Sequence, residues 1–282
     1  MGDMASTARL AEQALLLEAA ATPTPGNVDR EHDTPGLRFE HLLAGAAGAR
    51  SGLDRLESGS SVGDGFETAV AGMADAAGTN AQFGALLLLA PLVRAAVDSA
   101  CTPTAADRVV AETTVEDAAA FYRAFDHVDV RVGDPPDDVD VPDVRLGSDA
   151  VPAVRERQLT LRDVLAAGSD RDGNARELIG GFERTFDAAA RLSQLDGPVG
   201  VRAPKLHLEL LADEPDTLVA TKHGPAVARE VRERAVEVDP DDEEAIRAFA
   251  ADLVEREINP GTTADLLAGA LFVALVREEV TV

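Results

Sequence analysis

The chain has 282 residues, 45% of them hydrophobic, which is enough for a sizeable core in one large domain or two small ones. Its 51 Asp and Glu oppose 26 Lys and Arg, for a net charge of -25, and Lys205 and Lys222 are the only lysines. No basic stripe or arginine-rich tract is present to neutralise a phosphate backbone, so the composition argues against a nucleic-acid partner. An acidic, lysine-poor surface repels itself in dilute buffer. In molar salt the Debye length shrinks to about 3 Å and screens that repulsion, so the balance reads as adaptation to a salt-rich cytoplasm. Cys101 is the only cysteine, which leaves no internal disulfide or cysteine metal site and fits a reducing compartment. The start, MGDMASTARLAEQ, lacks the basic and apolar regions of a signal peptide. The longest apolar runs, 85–93 and 266–276, are about half the roughly 20 residues of a membrane span, so a cytoplasmic protein with no membrane contact is expected.

Helical periodicity dominates from the first residues onward. Residues 5–21 predict an Ala- and Leu-rich helix stopped at Pro23 and Pro25, followed by a polar loop, TPTPGNVDREHDTPG, over 22–36. A second helix starts near Leu37. A third, capped by Asp64, ends at Gly78. An apolar helix follows to about Ser99, and Thr114 with Asp117 forms a capping box for a helix through Phe125. Only residues 128–132 hint at a strand. The tract DVRVGDPPDDVDVPDVRLGSDAVP over 129–152 is rich in Pro and Asp and predicts a long surface loop, reaching to about residue 158. Helices resume at 160–167, 172–192, 204–212 and 225–236. Asp239-Pro240 opens another, running through Glu257. Asn259-Pro260-Gly261 ends that one, and Thr262 and Thr263 open the last. ADLLAGALFVALV is apolar nearly all round and should be buried centrally. The expected architecture is all-α: one multi-helix domain over residues 1–282 with a buried C-terminal helix.

Four segments combine glycine, polar side chains and helix ends in ways that packing alone does not require. Glu18 leads into the stiff loop carrying Gly26, Asn27, Asp29, His32 and Asp33, whose oxygens and imidazole suit Mg²⁺ or a ribose; an acidic surface loop has the same composition. Gly78, Thr79 and Asn80 with Gly84 precede a helix start, where free N–H groups and close approach suit an anion; a plain helix cap needs the same residue types. In SDRDGNARE, Asp172 and Arg176 share a helix face and could form a solvated ion pair, or could work with Glu177 at a site. In NPGTTAD, Asp265 sits beside the all-apolar helix, where a buried carboxylate needs a partner or a metal. His207 and His223 lack metal-ligand spacing and read as structural. No H-E-x-x-H, Walker, Rossmann or nucleophile-elbow pattern occurs.

Taken in order, EAAATPTPGNVDREHD, AAGTNAQFGALLLLAPL, HLELLADEPDTLVATKHG and NPGTTADLLAGALFVAL resemble the motifs of the triphosphoribosyl-dephospho-CoA synthase family, and TTVEDA, RDGNARE and the acidic tract look like its archaeal branch. The resemblance implies an all-helical transferase that moves the triphosphoribosyl group of ATP onto a ribose hydroxyl of dephospho-CoA, or a related acceptor, and releases adenine. It implies Mg²⁺ alongside ATP. Glu18, Asp29, Asp172 and Asp265 are the candidate catalytic carboxylates, with Glu18, Asp29, Asp33 and Asp265 as metal ligands. Gly26, Asn27, His32, Gly78, Thr79, Asn80, Arg176, Lys222, Thr262 and Thr263 are the candidate nucleotide contacts. One departure stands out: Asn80-Ala81-Gln82-Phe83 replaces an Asn-Thr-His followed by a basic residue in the bacterial pattern. A nucleotide-cleaving hydrolase, a ribosyltransferase for another cofactor and a non-catalytic nucleotide or CoA binder on the same scaffold are the alternatives.

The charge excess carries the first prediction. The thermal unfolding midpoint should rise steeply from low salt to molar KCl, and a midpoint unchanged across that range would contradict the screening argument.

Overall fold

The computed structural model describes residues 6–98, 101–133 and 140–280. Among these, fifteen α-helices and one 3-10 segment account for the regular structure, and the one β feature is an isolated bridge between Thr34 and Leu37. In chain order the helices are α1 (Thr7–Ala20), α2 (Phe39–Glu57), α3 (Val62–Ala77), α4 (Phe83–Asp98), α5 (Pro103–Ala111) and α6 (Val115–Ala124). After the 3-10 segment Val144–Ala150 come α7 (Val151–Glu156), α8 (Leu161–Gly168), α9 (Gly173–Ile179), α10 (Glu183–Gln194) and α11 (Val199–Asp213). The chain finishes with α12 (Thr217–His223), α13 (Pro225–Glu237), α14 (Glu243–Glu255) and α15 (Gly261–Val276). None of the described helices is long and apolar enough to cross a membrane.

The last helix organises the rest. Every residue over 266–275 is buried, and a helix apolar on all sides is stable only when neighbours cover all sides. Here α1, α4, α10 and α11 pack around it. Each fully buried Leu, Phe or Val contributes about 1.5–3 kcal/mol, so α15 is the main apolar investment of the fold. The α2–α3 pair backs α1 and α4, while α6 and α8 cover the far side. A second, smaller core forms where Leu208 and Leu211 of α11 meet Val219, Val231, Phe249 and Leu253 of α12 to α14.

Local chemistry shifts several boundaries. The cap of α3 is Ser61, whose hydroxyl accepts from Asp64 N, so Asp64 lies in the first turn. The expected helix 172–192 is two helices, parted at Gly180-Gly181 and restarted by Phe182 at φ 63°. The tract expected to be a loop to residue 158 is helical over much of its second half. Asp143 caps the 3-10 segment through Arg145 N, Pro152 suits a first turn, and Val151 and Val154 are buried. Residues 134–139 of that tract lie outside the described residues. Residues 128–132 form no strand. The cap of α14 is Asp242, not Asp239, and α11 starts at Val199 with Pro204 inside it.

One buried carboxylate starts two helices. Asp216 accepts from Val219 N at 3.0 Å, capping α12, and from Thr263 N and Oγ1 at 2.8 Å each, holding the first turn of α15. Asp242, by contrast, is an exposed cap holding Ala245 N. Asp216→Ala should therefore lower stability by about 2–4 kcal/mol and Asp242→Ala by about 1 kcal/mol. Denaturant unfolding in molar KCl checks this, and equal losses would show that Asp216 is an ordinary cap.

Candidate active site

Four helix starts face a common cleft of about 800 Å³. Its floor is built around Asp265, in the second turn of α15. Asn174 Nδ2, from α9, donates to Asp265 Oδ2 at 2.7 Å, and the Ala85 amide at the start of α4 supplies another hydrogen bond. Gly84 makes this approach possible, because a Cβ there would collide with Asp265 Oδ2 and Asn174 Nδ2. Burial pushes the Asp265 carboxyl up to about 7, with the Asp216 and Asp172 charges adding to the rise and the Asn174 bond opposing it.

Asp172 caps α9 through Ala175 N at 2.8 Å. Its side chain is open to the cleft, yet the protein crowding around it holds its carboxyl above the usual aspartate value. Thr217 Oγ1 accepts from Gly173 N at 3.0 Å and lies 3.0 Å from Thr262 Oγ1, so α9, α12 and α15 are stitched together at their first residues. Arg131, Arg171 and Lys222 bring positive charge to the cleft lining, with Arg131 near enough to Lys222 to act on its ammonium. Partial burial, and then the neighbouring Arg131, hold the Lys222 ammonium below its ordinary value. Leu87, Phe121, Phe125, Val164 and Leu165 add apolar surface to the cleft lining.

Behind the floor lies a second, smaller cavity of about 70 Å³, lined by Glu18, Asn27, Gln82, Asn259 and Asp265 among others. Gln82, Asn259 and Asp265 line both spaces. Burial, and then the nearby Asp265 charge, push the Glu18 carboxyl up to about 8, while Gln82 draws it the other way.

The structure thus joins some of the residues singled out from the sequence and separates others. Glu18, Asn27 and Asp265 meet at the small cavity; Gly78, Thr79, Asn80, Asp172, Lys222, Thr262 and Asp265 line the cleft. Gly26, at φ 72°, lets the N-terminal loop press against Ile258 O and Pro260, just before α15. Asp29 lines neither space. It is fully buried and accepts hydrogen bonds from Thr24 N, Glu31 N, His32 N and His32 Nδ1, so its lone pairs are spent inside its own loop. Asp33 is exposed and accepts from Phe39 N at 3.0 Å. Hence the expected four-carboxylate metal set does not converge, and among the described residues no group of three or more His, Cys, Asp or Glu is placed to hold a metal.

Asn80 acts as a cap, accepting from Phe83 N at 3.2 Å and donating to Asp129 O. Arg176 is turned to Glu214 at 2.6 Å rather than to Asp172. Thr263 is buried against Asp216. His207 is fully buried, and burial holds its imidazole neutral with a value near 3. Where the bacterial pattern has a His and a base, Gln82 is buried at the small cavity and Phe83 joins an aromatic cluster with Phe66 and Phe125 at 5.1 and 5.0 Å. The sequence reading missed Asn174, Thr217, Asn259 and Arg131 as site residues. An Asn two positions after the Asp172 cap was the one available signal for Asn174.

The family model for ATP:dephospho-CoA triphosphoribosyl transferase (CitG) matches residues 4–281. A crystal structure of an Archaeoglobus fulgidus protein assigned as a triphosphoribosyl-dephospho-CoA synthase superposes with a TM-score of 0.71. It shares 26% sequence identity, and the match covers 85% of this chain and 99% of that one. No curated relative matches the sequence significantly. With a family model spanning almost the whole chain and a solved structure of the same fold, the protein belongs to the ATP:dephospho-CoA triphosphoribosyl transferase family.

Proposed function

We propose that the cleft carries out the family's transfer with the roles divided among its lining residues: the cations grip the triphosphate of ATP, and the carboxylate floor serves the anomeric carbon. The carrying observation is that Asp172 and Asp265 share one cavity with Lys222, Arg131 and Arg171. In the reaction, the bond from C1′ of the ribose to the adenine nitrogen breaks, and a bond from C1′ to an acceptor hydroxyl oxygen forms. The transition state has oxocarbenium character, as in glycoside cleavage. Ionised carboxylates beneath the ring stabilise that positive charge in a site partly shielded from water.

Asp172 is the group best placed to take the hydroxyl proton, because it opens to the cleft and its carboxyl is held above the usual aspartate range. The departing adenine gains a proton, which balances the one lost by the acceptor. Asp265, tied by Asn174 and Ala85, is fixed in place and acts through its charge. Where ATP enters as its Mg²⁺ complex, the ion offsets phosphate charge that Lys222 and Arg131 meet from the protein side. The apolar lining at Leu87, Phe121 and Phe125 offers a surface for a base or for the thiol arm of a CoA-type acceptor.

The direct experiment is incubation in molar KCl with ATP, Mg²⁺ and dephospho-CoA, followed by chromatography for free adenine. Adenine released only with the acceptor supports the transferase; adenine without it would make the protein a hydrolase, and none would refute catalysis.

Two substitutions separate these roles. Lys222→Ala should raise KM for ATP about tenfold or more through loss of a charged contact. Asp172→Asn should leave KM near its original value and lower kcat about 10²–10⁴-fold. A base works only when ionised, so the wild-type rate should fall as pH drops through the raised Asp172 value; Asp172→Asn should remove that contribution and leave only the loss of Asp265 charge as pH falls through about 7. A wild-type rate without such a limb would remove Asp172 as the base.

A further inference from the structure

The small cavity behind the cleft floor holds more unmet hydrogen-bonding capacity than any role described so far requires. Asn27 is 4% exposed, and neither its Oδ1 nor its Nδ2 has a partner. Gln82 is 5% exposed; its Nε2 donates to Leu15 O, and its Oε1 has none. Asn259 Oδ1 is likewise unpartnered. All three side chains line the same space as the carboxylates of Glu18 and Asp265. Each buried polar atom left unsatisfied costs about 1–3 kcal/mol, and native proteins rarely leave several together.

We propose that this cavity is a binding site for one divalent cation, held by oxygens of Glu18, Asn27, Gln82, Asn259 and Asp265. The ligand class follows from the donor set. Every available ligand atom is oxygen, two of the five side chains are carboxylates, and no Lys, Arg or His lines the cavity to neutralise them. An all-oxygen set with two negative charges selects hard ions such as Mg²⁺, Mn²⁺ and Ca²⁺ over Zn²⁺ or Cu²⁺. Water alone would satisfy the amides but leave the two carboxylates that line the cavity without a compensating cation. At about 70 Å³ the space exceeds the roughly 10–15 Å³ that one water needs, so an ion can keep part of its hydration shell there.

The surroundings explain how the ligands are held. Asp29, absent from the cavity, spends its oxygens on Thr24, Glu31 and His32 and so fixes the loop that presents Asn27; it is a positioning residue. Gly26 seats that loop against the segment carrying Asn259. The five ligands come from α1, the N-terminal loop, the turn before α4, the turn before α15 and α15 itself, so a bound ion ties both ends of the chain together beneath the cleft. All of the ligands are protein atoms, so binding does not wait for nucleotide and does not depend on the transferase reading.

The test uses full-length protein stripped with EDTA and exchanged into molar KCl without nucleotide. Mn²⁺ is titrated in while its free signal is followed by electron paramagnetic resonance. One Mn²⁺ per chain should bind, be displaced by Mg²⁺, and raise the unfolding midpoint. Glu18→Gln and Asn27→Ala should each weaken uptake at least about tenfold, the scale seen for lost outer-shell partners, while the exposed Glu233→Gln should not change it. Asn27→Ala removes a neutral ligand, so it remains informative should loss of a carboxylate perturb folding. Absence of saturable uptake by the wild type would overturn the site. Uptake equal in wild type, Glu18→Gln and Asn27→Ala would also overturn it, by placing the ion on the acidic surface.

Discussion

Burying the Asp265 carboxylate is the constraint on which the rest of this structure depends. The helix that carries it is otherwise apolar and lies at the centre of the molecule, so an unsupported charge there would cost more than the adjacent Leu and Phe side chains contribute. The fold meets the cost by bringing partners from elsewhere. Asn174 arrives on α9, 91 residues away in sequence. The Ala85 amide comes from the free end of α4, one of the donors that every helix start leaves unpaired. Gly84 keeps the surface beside it bare. Once those partners are required, the relative placement of α4, α9 and α15 is largely fixed, and so is the floor of the cleft.

The same device recurs at Asp172 and Asp216. Each is a helix cap in sequence terms, and the protein packed around each raises its carboxyl. Asp216 spends all its capacity on Val219 and Thr263 and is structural. Asp172 spends Oδ1 on its own cap and keeps an open side toward the cleft. A cap that is only partly used can serve a substrate without leaving the helix unprotected. Because helix starts carry partial positive charge, several carboxylates can gather in one region that would otherwise repel them. Gathering chemistry-bearing side chains at helix starts therefore stabilises both the helices and the acidic floor.

This explains what could be read from the sequence and what could not. The all-helical fold and the buried last helix were legible because periodicity and apolar all-round composition are local properties. The four polar segments were legible as places for the same reason. Roles inside them were not. Asp29 in a Pro-Gly loop has the residue environment of a metal ligand, yet whether it faces a cavity or its own backbone depends on loop closure against Ile258 and Pro260, more than 200 positions away. Arg176 reads as a partner of Asp172 at helical spacing, but Glu214 competes for it from the end of α11. Amides such as Gln82 and Asn259 carry no charge signature, so only their buried, unpartnered oxygens expose them. Seven-residue helices such as α12 are too short to show a period, and in α10 the restart at Phe182 follows from two glycines whose effect is conformational.

Net charge and site chemistry operate on different length scales, so an acidic chain can still present local cations in its cleft. Most arginines are committed to carboxylates, as in Arg123 with Glu67, Arg155 with Glu116, Arg191 with Glu209 and Arg247 with Glu31. Surface pairs of this kind contribute little individually, but they remove much of the positive charge from the long-range field. What remains repels an anion at a distance in dilute buffer. At molar ionic strength that field decays within about 3 Å, while contacts inside the cleft, shielded by protein, persist. Burial, and then the neighbouring Arg131, lower the Lys222 ammonium, with Asp216 opposing them. Salt that silences the surface therefore leaves the local charges of Arg131 and Lys222 in place inside the cleft.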